Sequence, residues 1–166
     1  MSVSLVPLDL RRLVALDGDP TRLDGMPVAD GALPPRFILA HAMTALREGK
    51  PAIGFALYAF VDEPHGQVAG TGGFKGPPVS GRVEIGYGVA ERLRGRGIAT
   101  AGVRGLLRVA FSHPELTEVY AETAVDNVAS RRVVEHAGFR HVGRRVTAED
   151  GTVDRWLTAG GADAAA

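Results

Sequence analysis

One segment, residues 84–100 (EIGYGVAERLRGRGIAT), restricts the fold more than any other part of the chain. Residues up to Val89 have the pattern of a strand, a short loop rich in Arg and Gly follows, and helical spacing begins near Ile98. The first N–H groups of a helix have no partners within it, and glycines let the backbone approach a ligand closely. The segment is therefore typical of a phosphate-binding loop at a helix N-terminus. The alternative is that the glycines only make a tight turn and the arginines are solvated.

Two common phosphate-binding motifs do not fit this loop. A P-loop requires G-x-x-x-x-G-K-[ST], and the chain contains no such run. The dinucleotide fingerprint is G-x-G-x-x-G/A, and a run that begins at Gly95 ends at Thr100, where the fingerprint requires Gly or Ala. The elements before the loop are also not a βαβ unit. Neither motif explains the segment well.

The remaining residues predict one domain with a mixed α/β (α+β) fold. A length of 166 residues matches a single domain, at roughly 150 residues per domain. We place this domain at residues 1–158 and expect residues 159–166 (AGGADAAA) to form a disordered tail. Periodicity predicts helices at 10–16, 35–47, 98–112 and 127–136, and strands at 2–10, 53–61, 67–75, 82–89, 117–123, 139–147 and 152–157.

The charge pattern restricts the class of partner. The 19 Lys and Arg residues balance the 19 Asp and Glu residues, which argues against a nucleic-acid binder, yet residues 92–108 hold five arginines and no acid. This basic stretch indicates a local anionic ligand or, alternatively, a solvated helix face. No apolar run approaches the roughly 18 residues of a membrane helix, cysteine is absent, and the histidines lack metal-ligand spacing. We expect a cytoplasmic protein with no metal and no membrane or nucleic-acid partner.

Four short motifs resemble those of the GCN5-related N-acetyltransferases, the GNAT superfamily. The run Arg92-x-x-Gly95-x-Gly97 resembles the motif that binds the acetyl-CoA pyrophosphate. Downstream, DNVAS (126–130) and Gly138-Phe139 resemble the N-x-x-S…G-F segment of the ribosomal-protein alanine acetyltransferase-like (RimJ/RimL-type) branch. Upstream, GGFKGPP (72–78) and VEIGY (83–87) resemble the paired central strands of that branch. The resemblance covers about residues 52–157.

The resemblance implies a three-layer fold, in which helices flank a mixed, mostly antiparallel sheet of about six or seven strands. This sheet would be splayed between strands 83–89 and 117–123, and acetyl-CoA, the cosubstrate, would lie in the splay. Its pantetheine arm would pair with the backbone of residues 87–89 as an added strand does. Asn127 would reach the pantetheine, and a helix N-cap is its alternative role. The resemblance assigns the following residues to acetyl-CoA: Tyr87, Val89, Arg92, Arg94, Gly95, Arg96, Gly97, Ile98, Ala99, Thr100 and Asn127.

Two residues are candidates for catalysis of acetyl transfer. Glu84 shares a strand face with Gly86 and Gly88, and partial burial would raise its pKa toward a value useful for a base. Its alternative role is a structural carboxylate paired with an arginine. For the acid, some members of the superfamily use a Tyr seven residues after the Asn, where this chain has Val134. We predict that Ser130 replaces it, with a capping hydroxyl as the alternative, although a CoA thiol can also leave without an acid.

The resemblance therefore predicts an enzyme that transfers an acetyl group from acetyl-CoA directly to a primary amine. The amine acceptor would be a protein N-terminus or a small molecule, chosen by residues at about 20–50 and by the last hairpin, 139–157. A CoA-binding regulatory or scaffolding module without turnover is the alternative, motivated by the change at Val134. A homodimer is compatible with the sequence.

Overall fold

A computed structural model describes residues 2–160 of the chain. Seven strands form one sheet in the order β1-β4-β5-β6-β7-β9-β8, and β2 and β3 form a separate small hairpin. The elements are β1 (Val3–Pro7), α1 (Leu10–Gly18), β2 (Arg22–Leu23), β3 (Met26–Pro27), α2 (Arg36–Arg47), α3 (Ala52–Phe55), β4 (Leu57–Asp62), β5 (Gln67–Phe74), β6 (Arg82–Val89), α4 (Ile98–Phe111), β7 (Glu118–Ala124), α5 (Val128–His136), β8 (Arg140–Thr147) and β9 (Gly151–Ala159).

The sheet is antiparallel except at its centre, where β6 and β7 run parallel. These two strands pair only from Arg82 opposite Glu118 to Glu84 opposite Tyr120. Beyond Glu84, β6 continues to Val89 without a partner on the β7 side, while β5 pairs with its other edge. The sheet is therefore splayed between β6 and β7, which confirms the predicted architecture.

Adjacent residues of β5 show what covers each face of the sheet. The Thr71 hydroxyl donates to the carbonyl oxygen of Ala32 at 2.8 Å, in the segment that leads into α2. Gly72 faces the opposite way, because successive strand residues alternate between faces. A Cβ atom added at Gly72 would lie 2.5 Å from the Phe60 ring and 3.0 Å from Leu106 of α4. The segment before α2 thus covers one face and α4 the other, which gives the three layers.

Phe60 is the largest fully buried side chain of the core. Its ring lies between Gly72 on β5 and Gly102 on α4, and a Cβ atom at either glycine would overlap it. Absence of these two Cβ atoms lets α4 pack directly on the sheet at this point.

The sequence prediction of a strand over 53–61 is wrong at its beginning. Ala52–Phe55 forms the single turn α3, and β4 begins only at Leu57. Gly54 has a φ of 103°, which favours glycine, and its carbonyl oxygen accepts a hydrogen bond from the Gly76 amide at 2.8 Å. This turn interrupts a run of apolar residues that alternation alone would extend into the strand.

The structure differs from the prediction in three further places. β1 ends at Pro7 and not at residue 10, because the Asp9 side chain caps α1, and a hairpin that was not predicted follows α1. The hairpin of β2 and β3 turns at Asp24-Gly25, and the Arg12 guanidinium donates to the Asp24 carboxylate at 2.7 Å. At the other end, Ala159 belongs to β9 and pairs with Glu118, so it is not part of a tail. The rest of the expected tail, apart from Gly160, lies outside the described residues.

Candidate active site

The loop after β6 has the geometry that its glycines require. A 3₁₀ turn at Glu91–Leu93 follows the strand, and Gly95 and Gly97 have φ values of 77° and 79°. Gly97 is the N-cap of α4 and makes no side-chain cap hydrogen bond, so no side chain closes the start of this 14-residue helix. The N–H groups there are therefore oriented toward the loop, where the helix dipole favours an anion.

A cavity of about 490 Å³ lies between this loop, β6 and α5. It brings together most of the residues that the sequence assigned to acetyl-CoA, and it also contacts residues that the sequence analysis did not identify. Arg92 and Arg96 do not line it. The predicted residues that do are Tyr87, Val89, Arg94, Gly95, Gly97, Ile98, Ala99, Thr100, Asn127 and Ser130.

Arg94 is the only predicted loop arginine that lines this cavity. Its Nε atom donates to the carbonyl oxygen of Val89 at 3.2 Å. This hydrogen bond uses one of the backbone groups at the free edge of β6 that the sequence analysis reserved for the pantetheine arm. It also holds the guanidinium at the junction of the loop and the splay.

Tyr87 and Ser130 connect the two walls of the splay. The Tyr87 hydroxyl donates to the Ser130 carbonyl oxygen at 3.2 Å, and the two hydroxyl oxygens are 2.8 Å apart. Burial raises the pKa of Tyr87, and the hydrogen bond with Ser130 opposes this effect only in part. The phenol therefore stays protonated at neutral pH and can donate a hydrogen bond within the cavity.

Asn127 has the capping geometry that the sequence analysis gave as its alternative role. Its side-chain oxygen accepts a hydrogen bond from the Ser130 amide at 3.0 Å, at the start of α5. The side chain also lines the cavity, so the cap leaves it in reach of a ligand there. Val134, which stands where the resemblance led us to expect a Tyr, is fully buried in the core and does not line the cavity.

A second cavity, of about 430 Å³, lies on the other side of β6. Its walls come from the segment before α2, the first turn of α2, the end of β5 and the glycines of β6. Tyr87 and Gly88 line both cavities, so the two meet at these residues. This arrangement can hold two molecules so that their ends approach each other beside β6.

Glu84 lines neither cavity but lies near the second one. Its side chain is 13% exposed, and its Oε2 atom lies 3.5 Å from Nζ of Lys75, which lines the second cavity. Burial raises the pKa of Glu84, Lys75 opposes this, and nearby Glu122 raises it further. The partner is a lysine and not the arginine of the alternative interpretation. The net effect is a carboxylate that is more basic than usual.

The family model of the acetyltransferase (GNAT) domain matches residues 3–140. The chain belongs to the GNAT family. The match covers β1 through α5, including the loop, the splay and both cavities.

Individual relatives of this GNAT domain match over shorter segments or at lower identity. A putative ribosomal N-acetyltransferase, YdaF of Bacillus subtilis, is 42% identical over 66 residues, which are 40% of this chain and 36% of the relative. The alignment thus spans little more than a third of that protein. The solved aminoglycoside acetyltransferase AAC(6')-Ib, in complex with coenzyme A, has a TM-score of 0.68 at 21% identity, covering 98% of this chain and 96% of its own.

A second solved structure has the same fold. It is the ribosomal alpha-N-protein acetyltransferase RimL in complex with coenzyme A, with a TM-score of 0.69 at 18% identity, covering 96% of this chain and 94% of its own. Within residues 2–160 the GNAT domain has no helix long and apolar enough to cross a membrane. The same residues contain no group of three or more His, Asp or Glu side chains placed to hold a metal ion.

One wall of the first cavity consists of residues that were not predicted from the sequence. Ala129, Arg132, Val133 and His136 line it from one face of α5. Their spacing of three and four residues is the helical period that places side chains on one face, and it begins two residues after Asn127. That signal was available in the sequence once Asn127 marked the start of the helix.

Proposed function

We propose that the protein transfers the acetyl group of acetyl-CoA directly to a primary amine. The observation that carries this proposal is the junction of two cavities at Tyr87 and Gly88. One cavity ends at a loop suited to phosphate, and the other opens on the opposite side of the same strand. A reaction between two bound molecules needs their reacting atoms held in contact, and this positioning supplies much of the rate enhancement.

The first cavity fits the pyrophosphate and pantetheine of acetyl-CoA. The backbone amides from Arg94 to Thr100 would bind the pyrophosphate, and a Cβ atom at Gly95 would meet no protein atom within 4 Å, so the loop is open toward a ligand. The pantetheine would extend along the free edge of β6 toward Tyr87, with Asn127 beside it. Acetyl-CoA supplies the acetyl group as a thioester.

Glu84 would accept the proton that the amine loses. Gly86, two residues further along the same face of β6, lines the second cavity, so a water molecule can link the carboxylate to an amine bound there. With that proton on Glu84, the neutral amine nitrogen forms its bond to the acetyl carbon while the carbon–sulfur bond breaks, and the electron pair of that bond goes to sulfur. The nitrogen releases a second proton as the amide forms.

Ser130 and Tyr87 would act on the departing sulfur. Their hydroxyls form one hydrogen-bonded pair in the wall of the first cavity, near its junction with the second. The pair can donate a hydrogen bond to the thiolate, and Ser130 can pass to sulfur the second proton that the nitrogen releases, while the proton held by Glu84 returns to solvent. The pair would therefore take the role of the Tyr that the resemblance leads us to expect at position 134, where this chain has a buried valine.

Calorimetry with acetyl-CoA tests this proposal, with ATP and NADH as ligands for comparison. Gly95→Trp places a bulky side chain in the phosphate loop, and Gly49→Trp is the matched control. Both glycines have left-handed backbones (φ of 77° and 72°) with no atom within 4 Å of an added Cβ, and Gly49 lines neither cavity. We expect micromolar binding of acetyl-CoA alone, lost in Gly95→Trp and kept in Gly49→Trp. Absence of binding to the wild type, or equal losses in both variants, would contradict the proposal.

A further inference from the structure

The second cavity restricts the amine that the protein accepts. We infer that the acceptor is a compact, largely apolar amine whose reacting nitrogen is its only positive charge. This inference rests on the proposed function and defines the substrate class of the same site. Its basis is the distribution of charge around the second cavity.

The lining of the second cavity is apolar apart from the Thr71 hydroxyl, the Tyr87 phenol and one charged group. Leucine, proline, isoleucine and phenylalanine side chains form its walls, together with glycines of β5 and β6. Among these lining residues Lys75 alone is charged, and none carries a carboxylate. The side chain of Lys75 is 54% exposed, and its ammonium lies at the edge of the cavity, 3.5 Å from the Glu84 carboxylate.

Two carboxylates near Lys75 on the same sheet face already have cationic partners, whereas Asp30, which precedes the lining residue Gly31, is exposed to solvent. Glu84 pairs with Lys75 at 3.5 Å. Glu122, on β7, accepts a hydrogen bond from Arg145 at 2.7 Å and lies 3.4 Å from Arg155. The cluster therefore holds three cations and two carboxylates, a net charge of +1 when all five groups are ionised.

A second ammonium group on the acceptor would be unfavourable in this setting. The reacting nitrogen must lose its proton before it attacks, so it leaves no charge behind, whereas any other amine would remain protonated. That ammonium would lose water in an apolar cavity with no carboxylate to receive it. Lys75 would also repel it, and repulsive elements of this kind set specificity.

Two amines of equal chain length test the inference. Pentylamine and cadaverine both present a primary amine on a five-carbon chain, and cadaverine adds an ammonium at the far end. Thiol release from acetyl-CoA gives kcat/KM for each. We expect at least about a tenfold preference for pentylamine, the size of one moderately screened repulsion between like charges. Cadaverine acetylated as efficiently as pentylamine would overturn the inference and leave the proposed function intact.

Charge reversal at position 75 identifies the cause of the preference. Lys75→Glu should reduce the ratio of the two kcat/KM values by about tenfold or more, because the ammonium of cadaverine gains a partner. The ratio is the readout because any effect of Lys75 on Glu84 applies to both amines. Lys50→Glu, which changes the chain's other lysine outside both cavities, should leave the ratio unchanged.

A ratio that moves equally in both variants, or in neither, would refute the role of Lys75. Failure of the proposed function has a different outcome, because no amine of a broad panel would then release thiol. That result would refute the proposed function and this inference with it.

Discussion

Replacement of Glu84 by glutamine separates its role as a base from its role as a buried carboxylate. The glutamine side chain has nearly the same size as glutamate, so its packing between the neighbouring strands is retained, but it cannot accept a proton. A general base contributes about 10²–10⁴-fold to a rate. Burial raises the pKa of Glu84 and Lys75, 3.5 Å from the carboxylate, opposes this rise in part, so we expect a loss near the lower limit, about 100-fold in kcat.

The pH dependence gives a second signature of the same change. Burial raises the pKa of Glu84, so wild-type kcat should rise with pH through a value above that of an ordinary glutamate. Glu84→Gln should lack that rise. A raised pKa also means that the folded state favours the protonated form, so stability is lost as pH rises through the folded-state pKa. Glu84→Gln should therefore raise the Tm relative to wild type at pH 7 and change it less at pH 4.

The assay is thiol release at saturating acetyl-CoA with the best acceptor of a primary-amine panel. Glu118→Gln is the matched control, since Glu118 is also a partly buried carboxylate, pairs with Arg82 at 2.9 Å and lines neither cavity. We expect the control to change kcat less than about threefold, as surface ion pairs contribute little. Equal rates for Glu84→Gln and wild type across the pH range would refute the assignment of Glu84 as base.

Three further predictions concern the cap, the core and an edge ion pair. Asn127→Ala should lower the free energy of unfolding by about 1 kcal/mol through loss of the α5 cap, whereas Asn127→Asp should keep the cap and the stability. If both variants bind acetyl-CoA more weakly than wild type, the Asn127 amide also contacts the ligand. Phe60→Ala should cost about 3–5 kcal/mol in urea unfolding, and a cost under about 1 kcal/mol would contradict the packing of α4 on this ring. The hydrogen bond from Arg144, with that from His141, lowers the pKa of Asp154, whose stabilisation is then present at neutral pH and lost as pH falls through its folded-state pKa. Asp154→Asn should accordingly lower the Tm more at pH 7 than at pH 3, and equal shifts at both pH values would contradict this.

The sequence predicted the elements around the site well because their signals are local. Gly95 and Gly97 mark the loop, and the start of α4 at Ile98 follows directly from them. The alternation over 82–89 predicted both β6 and the shared face of Glu84 and Gly86. These features depend on the local backbone conformation and on the alternation of side chains along a strand, and both are determined by residues close together in the sequence.

Other features depend on residues far apart in the chain, and the sequence could not supply them. The ion pair of Glu84 with Lys75 forms because β5 and β6 are adjacent, and the bond of Tyr87 with Ser130 crosses the splay between elements 43 residues apart. Arg92, Arg94 and Arg96 look equivalent in the sequence, yet only Arg94 reaches the cavity. Arg94 is also the one of the three whose side chain donates a hydrogen bond to the carbonyl oxygen of Val89.

Hydrogen exchange with and without acetyl-CoA tests the central claim most directly. If the cosubstrate lies in the splay, exchange should slow at the amides of residues 85–100 and at the start of α5, and β1 and α1 should be unaffected. Protection spread over the whole chain, or confined to residues outside the first cavity, would contradict the placement of acetyl-CoA between β6 and β7.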